Sequence, residues 1–173
     1  MSDPFAQPLP IDRIRDGERI DVTANEAARA EIADRLGLTR LDRLEAHVVL
    51  ERNGANILAK GRVLASLDQS CVITSEPVAA HIDEPFEVKF VPEPTVATPD
   101  EEIELAADDC DIMFHDGATI DLGAAVADSL ALALDPYPRS TAAAAALKEA
   151  GVMSEAEASP FAVLAKLKGG DDA

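Results

Sequence analysis

The 173-residue sequence contains no tryptophan, one tyrosine and five phenylalanines. Proteins that bind single-stranded nucleic acid commonly stack bases on aromatic side chains, and nothing in this sequence resembles such a stacking platform. With so few aromatic residues, the core must be built from alanine, valine, leucine and isoleucine. The chain is nevertheless long enough for one domain with a substantial core.

Long apolar runs are absent as well. No stretch of about 18 apolar residues occurs, so no transmembrane helix and no membrane partner are expected. The N-terminal residues lack the basic and apolar regions of a secretory signal, which favours a cytoplasmic protein. The two cysteines, Cys71 and Cys110, are therefore expected to be buried free thiols rather than a disulfide.

Basic residues are scarce, with 15 lysines and arginines against 33 acidic residues and a net charge of −18. Residues 1–62 hold ten of these basic residues and eleven acids, a net of −1, whereas residues 63–173 hold five and twenty-two, a net of −17. Binding to phosphates requires lysine and arginine, so this balance argues against a protein that coats nucleic acid. A field of this shape would orient the N-terminal half toward a polyanion.

The N-terminal third is predicted to be extended apart from one helix. Asn25 is a suitable N-cap for this helix and Gly37 a suitable stop, which gives a helix over 26–36. Strands are expected before it, near 11–14 and over 18–23.

Three consecutive runs of alternating apolar and polar residues then predict an antiparallel meander with one face exposed to water. The first run begins at Leu44, and Asn53 and Gly54 provide a tight turn to the second, because both residues tolerate positive φ. The third run covers 78–91, and a short edge strand is expected around 112–114. The apolar residues predicted to share one face in the first two runs are Leu44, Ala46, Val48, Leu50, Ile57, Ala59, Val63, Ala65 and Leu67.

Helices are predicted to dominate the C-terminal part. Asp121 caps a helix over 122–134 that ends before Pro136, and its apolar coverage, including Leu132, predicts the most buried helix of the protein. An alanine-rich helix over 142–150 is expected to follow.

Together these patterns predict an α+β protein. Its sheet, over about residues 44–114, is expected to be an antiparallel meander or a partly closed, barrel-like sheet, packed by the N-terminal helix and by the buried helix over 122–134. We expect a single domain over 1–173 with a short C-terminal helix. A flexible N-terminal arm to about residue 10, an acidic loop at about 92–111 and an alanine-rich, polar extension at about 139–159 are predicted within it.

No motif points to catalysis. A Gly-x-Ser-x-Gly element and a glycine-rich phosphate loop are both missing, so we expect no enzyme and no small-molecule substrate. Seven of the twelve residues from Asp100 to Asp111 are acidic, but they lack the residue order of a calcium-binding loop and predict a solvated or disordered loop instead.

A group of basic residues around the predicted hairpin is a candidate contact for RNA or phosphate. Lys60 and Arg62 would share a strand face, with Arg52 across the turn. The alternative is pairing with neighbouring acids such as Glu45 and Glu51, as is common for exposed charges. The full candidate set is Arg40, Arg43, Arg52, Lys60 and Arg62.

Two segments near the C-terminus are distinctive. The first runs from Thr119-Ile-Asp-Leu-Gly through Asp135-Pro-Tyr-Pro138, and the second is Ser159-Pro-Phe-Ala-Val-Leu-Ala-Lys-Leu-Lys-Gly169. In this order they resemble the YceD family of bacterial proteins, the large ribosomal RNA subunit accumulation proteins, also called domain of unknown function 177. Within these segments we assign a structural rather than a binding role to five residues, which are Asp121, Leu122, Pro136, Pro138 and Pro160.

The resemblance also bears on metal binding, because the family often carries a Cys-x-x-Cys pair in its central sheet and further cysteines downstream. Here Cys71 is kept, but Thr74 stands at the second position and residues 139–142 contain no cysteine. Zinc needs about four thiolate or imidazole ligands. The candidates in this sequence show no close pairing, and they are Cys71, Cys110, His47, His81 and His115. We therefore expect neither a metal nor another cofactor.

The second distinctive segment has two interpretations. Ser159 and Pro160 begin a predicted helix in which Phe161, Leu164 and Leu167 form one apolar stripe. This stripe is either a docking element for a partner or a helix that closes the protein's own core, since amphipathicity does not distinguish the two.

The family resemblance implies a non-enzymatic factor that supports accumulation of large-subunit ribosomal RNA. Its partner would be the ribosomal RNA precursor or a basic ribosomal or RNA-processing protein, such as a nuclease, and the acidic C-terminal half favours the protein. The alternative is an acidic protein-interaction or chaperone-like module unrelated to RNA. The sequence leaves the oligomeric state open.

Overall fold

The computed structural model describes residues 5–93 and 111–152. Several predictions concern positions outside these ranges and have no structural counterpart here. They are most of the acidic loop, Cys110, and the C-terminal helix with Pro160, Phe161, Leu164 and Leu167.

The described residues form an α+β protein, as predicted. The strands are β1 (Pro8–Pro10), β2 (Glu18–Thr23), β3 (Arg40–Asn53), β4 (Asn56–Ser70), β5 (Pro77–Pro92), β6 (Asp111–His115) and β7 (Thr119–Asp121). The helices are α1 (Glu26–Leu36), α2 (Leu122–Ala133) and α3 (Ala143–Glu149), and a short 3₁₀ turn covers Ile11–Arg13.

Five strands form the main sheet in the order β2-β3-β4-β5-β6. This sheet is mostly antiparallel, but β6 runs parallel to β5, which a simple meander does not include. The prediction of a partly closed barrel is wrong: closure would require pairing of β2 with β6, and these strands lie at opposite ends of the order. A separate two-stranded antiparallel sheet joins β1 to β7.

The alternation in β3 and β4 places one continuous aliphatic face in the core. All nine residues predicted to face one way in the first two runs are buried. The connecting turn consists of Gly54 and Ala55 between the paired Asn53 and Asn56, and Gly54 has a φ of 65°. The predicted hairpin and its inward face are therefore confirmed, with the turn one residue later than expected.

The ends of α1 follow from local capping. The side chain of Asn25 accepts a hydrogen bond from the Ala28 amide at 2.9 Å, and Gly37 adopts a left-handed φ of 63°. Ala28 and Ile32 on this helix are buried in the same core as the sheet. The predicted helix over 26–36 is confirmed at both ends.

The strand predicted near 11–14 is wrong, because these residues begin with a 3₁₀ turn and the strand lies earlier, at β1. Ile11 and Ile14 are both buried. Residues three apart point the same way in a 3₁₀ turn but opposite ways in a strand, so burial of both isoleucines favours the turn.

Helix α2 begins where predicted and is extensively buried, with Leu122, Val126 and Leu130 among its fully buried residues. Leu132 does not belong to this face, however, and is 75% exposed. It lies two residues from Leu130, which is about 200° around the helix and therefore on the opposite side. The predicted alanine-rich helix is also present as α3, followed by Gly151 at a φ of 78°.

The described residues cluster into two compact units. The first contains residues 5–69, 79–93 and 111–136, and the second contains residues 70–78 and 137–152. The single domain, the flexible arm and the polar extension stay predictions. No helix in the described residues has both the length and the apolar character needed to cross a membrane.

Asp121 joins the start of α2 to the N-terminal segment. Its Oδ1 atom accepts hydrogen bonds from the amides of Ala124 at 3.1 Å and Gln7 at 3.0 Å. We expect Asp121→Ala to lower the free energy of unfolding by about 1–3 kcal/mol, because a helix cap and a second amide partner are both lost. Urea denaturation measures the change. Asp128→Ala, at an exposed position of the same helix, is the control and should change stability by less than about 0.5 kcal/mol.

Gly123 permits a close approach between α2 and the N-terminal segment. A Cβ atom at this position would overlap the carbonyl oxygen of Phe5. In an ordinary helix, glycine to alanine stabilises by about 1 kcal/mol, whereas here we expect Gly123→Ala to destabilise by about 1–3 kcal/mol. Ala124→Gly, measured in the same urea series, should show only the propensity cost of about 1 kcal/mol. A more stable Gly123→Ala protein would contradict this packing.

Candidate functional site

The five basic residues proposed for RNA contact lie on β3 and β4. Lys60 and Arg62 are on the exposed face of β4, opposite Val49 and His47 of β3. Arg40 and Arg43 are at the start of β3, on either side of an irregularity in the register, and Arg52 is near the end of the same strand. The hairpin thus brings all five to one pair of strands but spreads them along its length.

Four of these basic residues form ion pairs with nearby carboxylates. Arg62 donates through Nε to Asp83 Oδ1 at 2.8 Å, and Lys60 Nζ lies 3.5 Å from Glu51 and 3.8 Å from Glu87. Arg43 contacts Glu45 at 2.7 Å, while Arg40 contacts Asp42 at 3.1 Å and Asp68 at 3.2 Å. The exposed face therefore carries positive and negative side chains next to one another and is not a cationic patch.

Arg52 is held by backbone carbonyls. Its Nη1 donates to the oxygens of Ile11 at 2.8 Å and Ile14 at 3.2 Å, and its Nε donates to Gly54 at 3.2 Å. Its own amide donates to Asp16 Oδ1 at 2.9 Å. The guanidinium thus fastens the 3₁₀ turn to the end of the hairpin, a role in folding that the sequence did not reveal.

The pair of Arg43 and Glu45 shows how these charges adjust to one another. The side-chain hydrogen bond to Glu45 raises the pKa of Arg43, and the same bond lowers the pKa of Glu45. Both side chains remain charged at neutral pH. Because Arg43 is exposed and Glu45 is only partly buried, water screens the pair and it contributes little to stability.

Pairing with Glu45 and Glu51 was the alternative interpretation of this group, and the structure shows both contacts. The acids on β5, Asp83 and Glu87, were missed. Their partners on β4 depend on the register between two strands, which the alternation of apolar residues does not specify. Contact of the five basic residues with RNA or phosphate stays a prediction.

The three histidines are each engaged in a local contact. His47 Nδ1 lies 2.7 Å from Asp21 Oδ1, and His81 Nδ1 lies 3.2 Å from the hydroxyl of Ser66. His115 is buried, with Nε2 at 2.9 Å from the Ala55 oxygen, while its Nδ1 accepts from the Gly117 amide. Since Nδ1 is an acceptor, Nε2 carries the proton, and this histidine acts as a bridge to the hairpin turn.

Cys71 is the centre of a compact turn in the second unit. Its Sγ atom accepts hydrogen bonds from the amides of Ile73 and Thr74 at 3.4 Å and of Ser140 at 3.2 Å. The hydroxyls of Thr74 and Ser140 lie 3.0 Å apart, and both donate to Glu76 Oε2. The structure therefore brings the Cys71–Thr74 stretch together with the downstream region that was compared with the family's cysteines.

This environment favours the thiolate. Burial opposes ionisation of Cys71, but hydrogen bonds from Ser140, Thr74 and Ile73 outweigh it and lower the pKa of the thiol to about 6. At neutral pH, Cys71 is therefore mainly a thiolate held by amide donors.

The same turn does not fit a zinc site. Thr74 and Ser140 supply hydroxyls where zinc takes thiolates or imidazoles. Among the described residues, no group of three or more histidine, cysteine, aspartate or glutamate side chains is placed to hold a metal ion.

Comparison with protein families gives the class of this protein. A family model described as "Large ribosomal RNA subunit accumulation protein YceD" matches residues 59–168. Because the match covers more than half of the chain, the protein belongs to the YceD family, and the resemblance found in the sequence is confirmed. No curated protein and no solved structure matches the chain.

The lowered pKa of Cys71 is testable in a Cys110→Ser protein, which leaves one thiol. Thiolate absorbance in the far ultraviolet should appear with a midpoint near pH 6, well below the usual value of about 8.5. Because the pKa is lower in the folded state, ionisation stabilises the fold above about pH 8.5, and this contribution is lost as the pH falls through about 6. A midpoint near the usual thiol value would contradict the hydrogen-bonded turn.

Proposed function

We propose that this protein is a non-enzymatic cytoplasmic factor in ribosome biogenesis, and that it supports accumulation of large-subunit ribosomal RNA by contacting a basic ribosomal or RNA-processing protein. The observation that supports a role in the accumulation of large-subunit ribosomal RNA is membership of the YceD family. The family's description connects it with the ribosomal RNA of the large subunit and leaves the mode of action open.

A protein partner is favoured by the distribution of charge. The candidate basic residues are already engaged by carboxylates or backbone carbonyls, while residues 63–173 carry a net charge of −17. A polyanion would have to displace the carboxylates that pair with these basic residues. A basic protein would instead be attracted by those carboxylates and by the excess negative charge of residues 63–173. Exposed ion pairs are weak, so direct RNA contact by Lys60 and Arg62 is the competing mode to test.

Depletion of the protein in its own cells tests the process. We expect mature large-subunit ribosomal RNA to fall relative to small-subunit RNA, as measured by quantitative RNA electrophoresis. Re-expression of the intact chain from a second locus is the control and should restore the ratio. An unchanged ratio after complete depletion would contradict the proposed function and would favour an acidic interaction or chaperone-like module unrelated to RNA.

In-cell crosslinking separates the two modes of contact. Crosslinkable groups placed at Lys60 and Arg62, which lie beside the carboxylates of Glu51, Glu87 and Asp83, should attach to a basic ribosomal or RNA-processing protein, and the attachment should survive ribonuclease treatment. Direct attachment to ribosomal RNA at these positions would favour the RNA mode. Partners confined to proteins unconnected with ribosomes would instead support the unrelated interaction module.

A further inference from the structure

A cleft of about 490 Å³ lies within the first unit, between the end of α2 and the middle of β5. It is distinct from the hairpin end of the sheet, where Arg52 and Lys89 line another cavity. Its lining residues are Glu84, Pro85, Phe86, Glu87, Asp111, Ser129, Leu132 and Ala133.

The apolar part of this cleft comes from Leu132, Phe86 and Pro85. Leu132 is 75% exposed although the rest of its helix supplies much of the core, and Phe86 is only partly buried. A single exposed leucine is ordinary on a protein surface. Here, however, it stands at the wall of a concavity beside an aromatic ring, which is the setting in which an apolar side chain of a partner can be desolvated.

Every charged residue of the described ranges that lines the cleft is negative. These residues are Glu84, Glu87 and Asp111, and no lysine or arginine of the same ranges is among the lining residues. Glu84 and Asp111 form no ion pair with any residue in the described ranges, whereas Glu87 faces Lys60 at 3.8 Å. Asp128 lies one turn before Leu132 on α2 and is exposed. Like charges around a concave, partly apolar surface reinforce one another's field.

We propose that this cleft is a docking surface for a lysine- or arginine-rich segment of a partner protein that carries an apolar side chain between its basic residues. The apolar side chain would insert beside Leu132 and Phe86, and the basic residues would pair with Glu84, Asp111 and Asp128. The proposal rests on the proposed function in that the partner is a basic protein, and it adds where that partner binds.

Charge complementarity selects this occupant over the alternatives. An RNA strand would bring its phosphates against three carboxylates of the cleft wall. The chain's own acidic stretch, with seven acids in the twelve residues ending at Asp111, would meet the same repulsion. Only a cationic ligand gains from the field, and only one with an apolar side chain gains from the leucine and phenylalanine.

Fluorescence anisotropy with the full chain tests the proposal. The probe is a short fluorescein-labelled peptide of alternating lysine and leucine. We expect Glu84→Gln with Asp111→Asn to weaken binding by about threefold to tenfold, and Leu132→Ser to weaken it by about tenfold. All of the substituted side chains are exposed, so circular dichroism should show an unchanged fold.

Matched controls distinguish the cleft from the general acidity of the protein. Glu31→Gln with Asp12→Asn removes one glutamate and one aspartate charge at exposed positions of the same unit, and Val152→Ser removes an exposed aliphatic side chain from the other unit. Neither should change the affinity. Equal weakening by cleft and control variants, or no weakening by either, would overturn the proposal.

Two further probes complete the test. A peptide of alternating lysine and serine should bind more weakly than the lysine and leucine peptide, and equal binding would overturn the apolar part of the proposal. Direct binding of a fluorescein-labelled oligouridylate to the protein, weakened by the same cleft variants, would show that the cleft accepts RNA and would also overturn it. Failure in these assays leaves the proposed function standing, because that function is read from the ribosomal RNA ratio.

Discussion

The described core depends on how α2 is fixed at its first turn. The carboxylate of Asp121 accepts one hydrogen bond from the amide of Ala124 within the helix. It accepts a second from the amide of Gln7, which is 114 positions earlier in the chain. Strand β7 leads directly into the helix and pairs with β1 beside these bonds. This carboxylate therefore joins two distant segments of the first unit, together with the pairing of β1 and β7 and the Leu122 amide that donates to the Gln7 oxygen. It also fixes the start of the helix whose buried residues complete the core.

Because the sequence contains no tryptophan, this core requires its backbone segments to lie close to one another. A core of aliphatic side chains is thin, so backbones must come near one another for the interior to reach ordinary packing density. Gly61 of β4 serves this purpose: a Cβ atom there would meet the carbonyl oxygen of His47 and lie 2.9 Å from the ring of Phe86. A residue with no side chain thus allows one of the few aromatic rings to lie across the sheet.

Features that depend on neighbouring residues were predictable from the sequence. The ends of α1, the start of α2, and the inward faces of β3 and β4 follow from Asn25, Gly37, Asp121 and simple alternation. In each case the determinant lies within a few residues of the element that it controls.

Features that depend on distant partners were not. The parallel pairing of β6, the acids of β5 that face Arg62 and Lys60, and the carbonyls that hold Arg52 all come from separate parts of the chain. The turn around Cys71 is intermediate, since the sequence indicated which two stretches corresponded to the family's cysteines but not that hydroxyls and amides would replace them. Leu132 was misplaced because composition alone does not show on which side a helix meets its sheet.

The position of the family match within the sheet has a consequence for how this protein can be divided. The match begins at Ala59, inside β4, and so excludes β2 and β3. Yet β3 pairs with β4 along nearly its whole length, and its buried residues belong to the same core as those of α2. A fragment cut at the limits of the match would expose a long aliphatic edge strand, which is prone to aggregate. The segment by which the family is recognised is therefore not a unit that can be expected to fold alone.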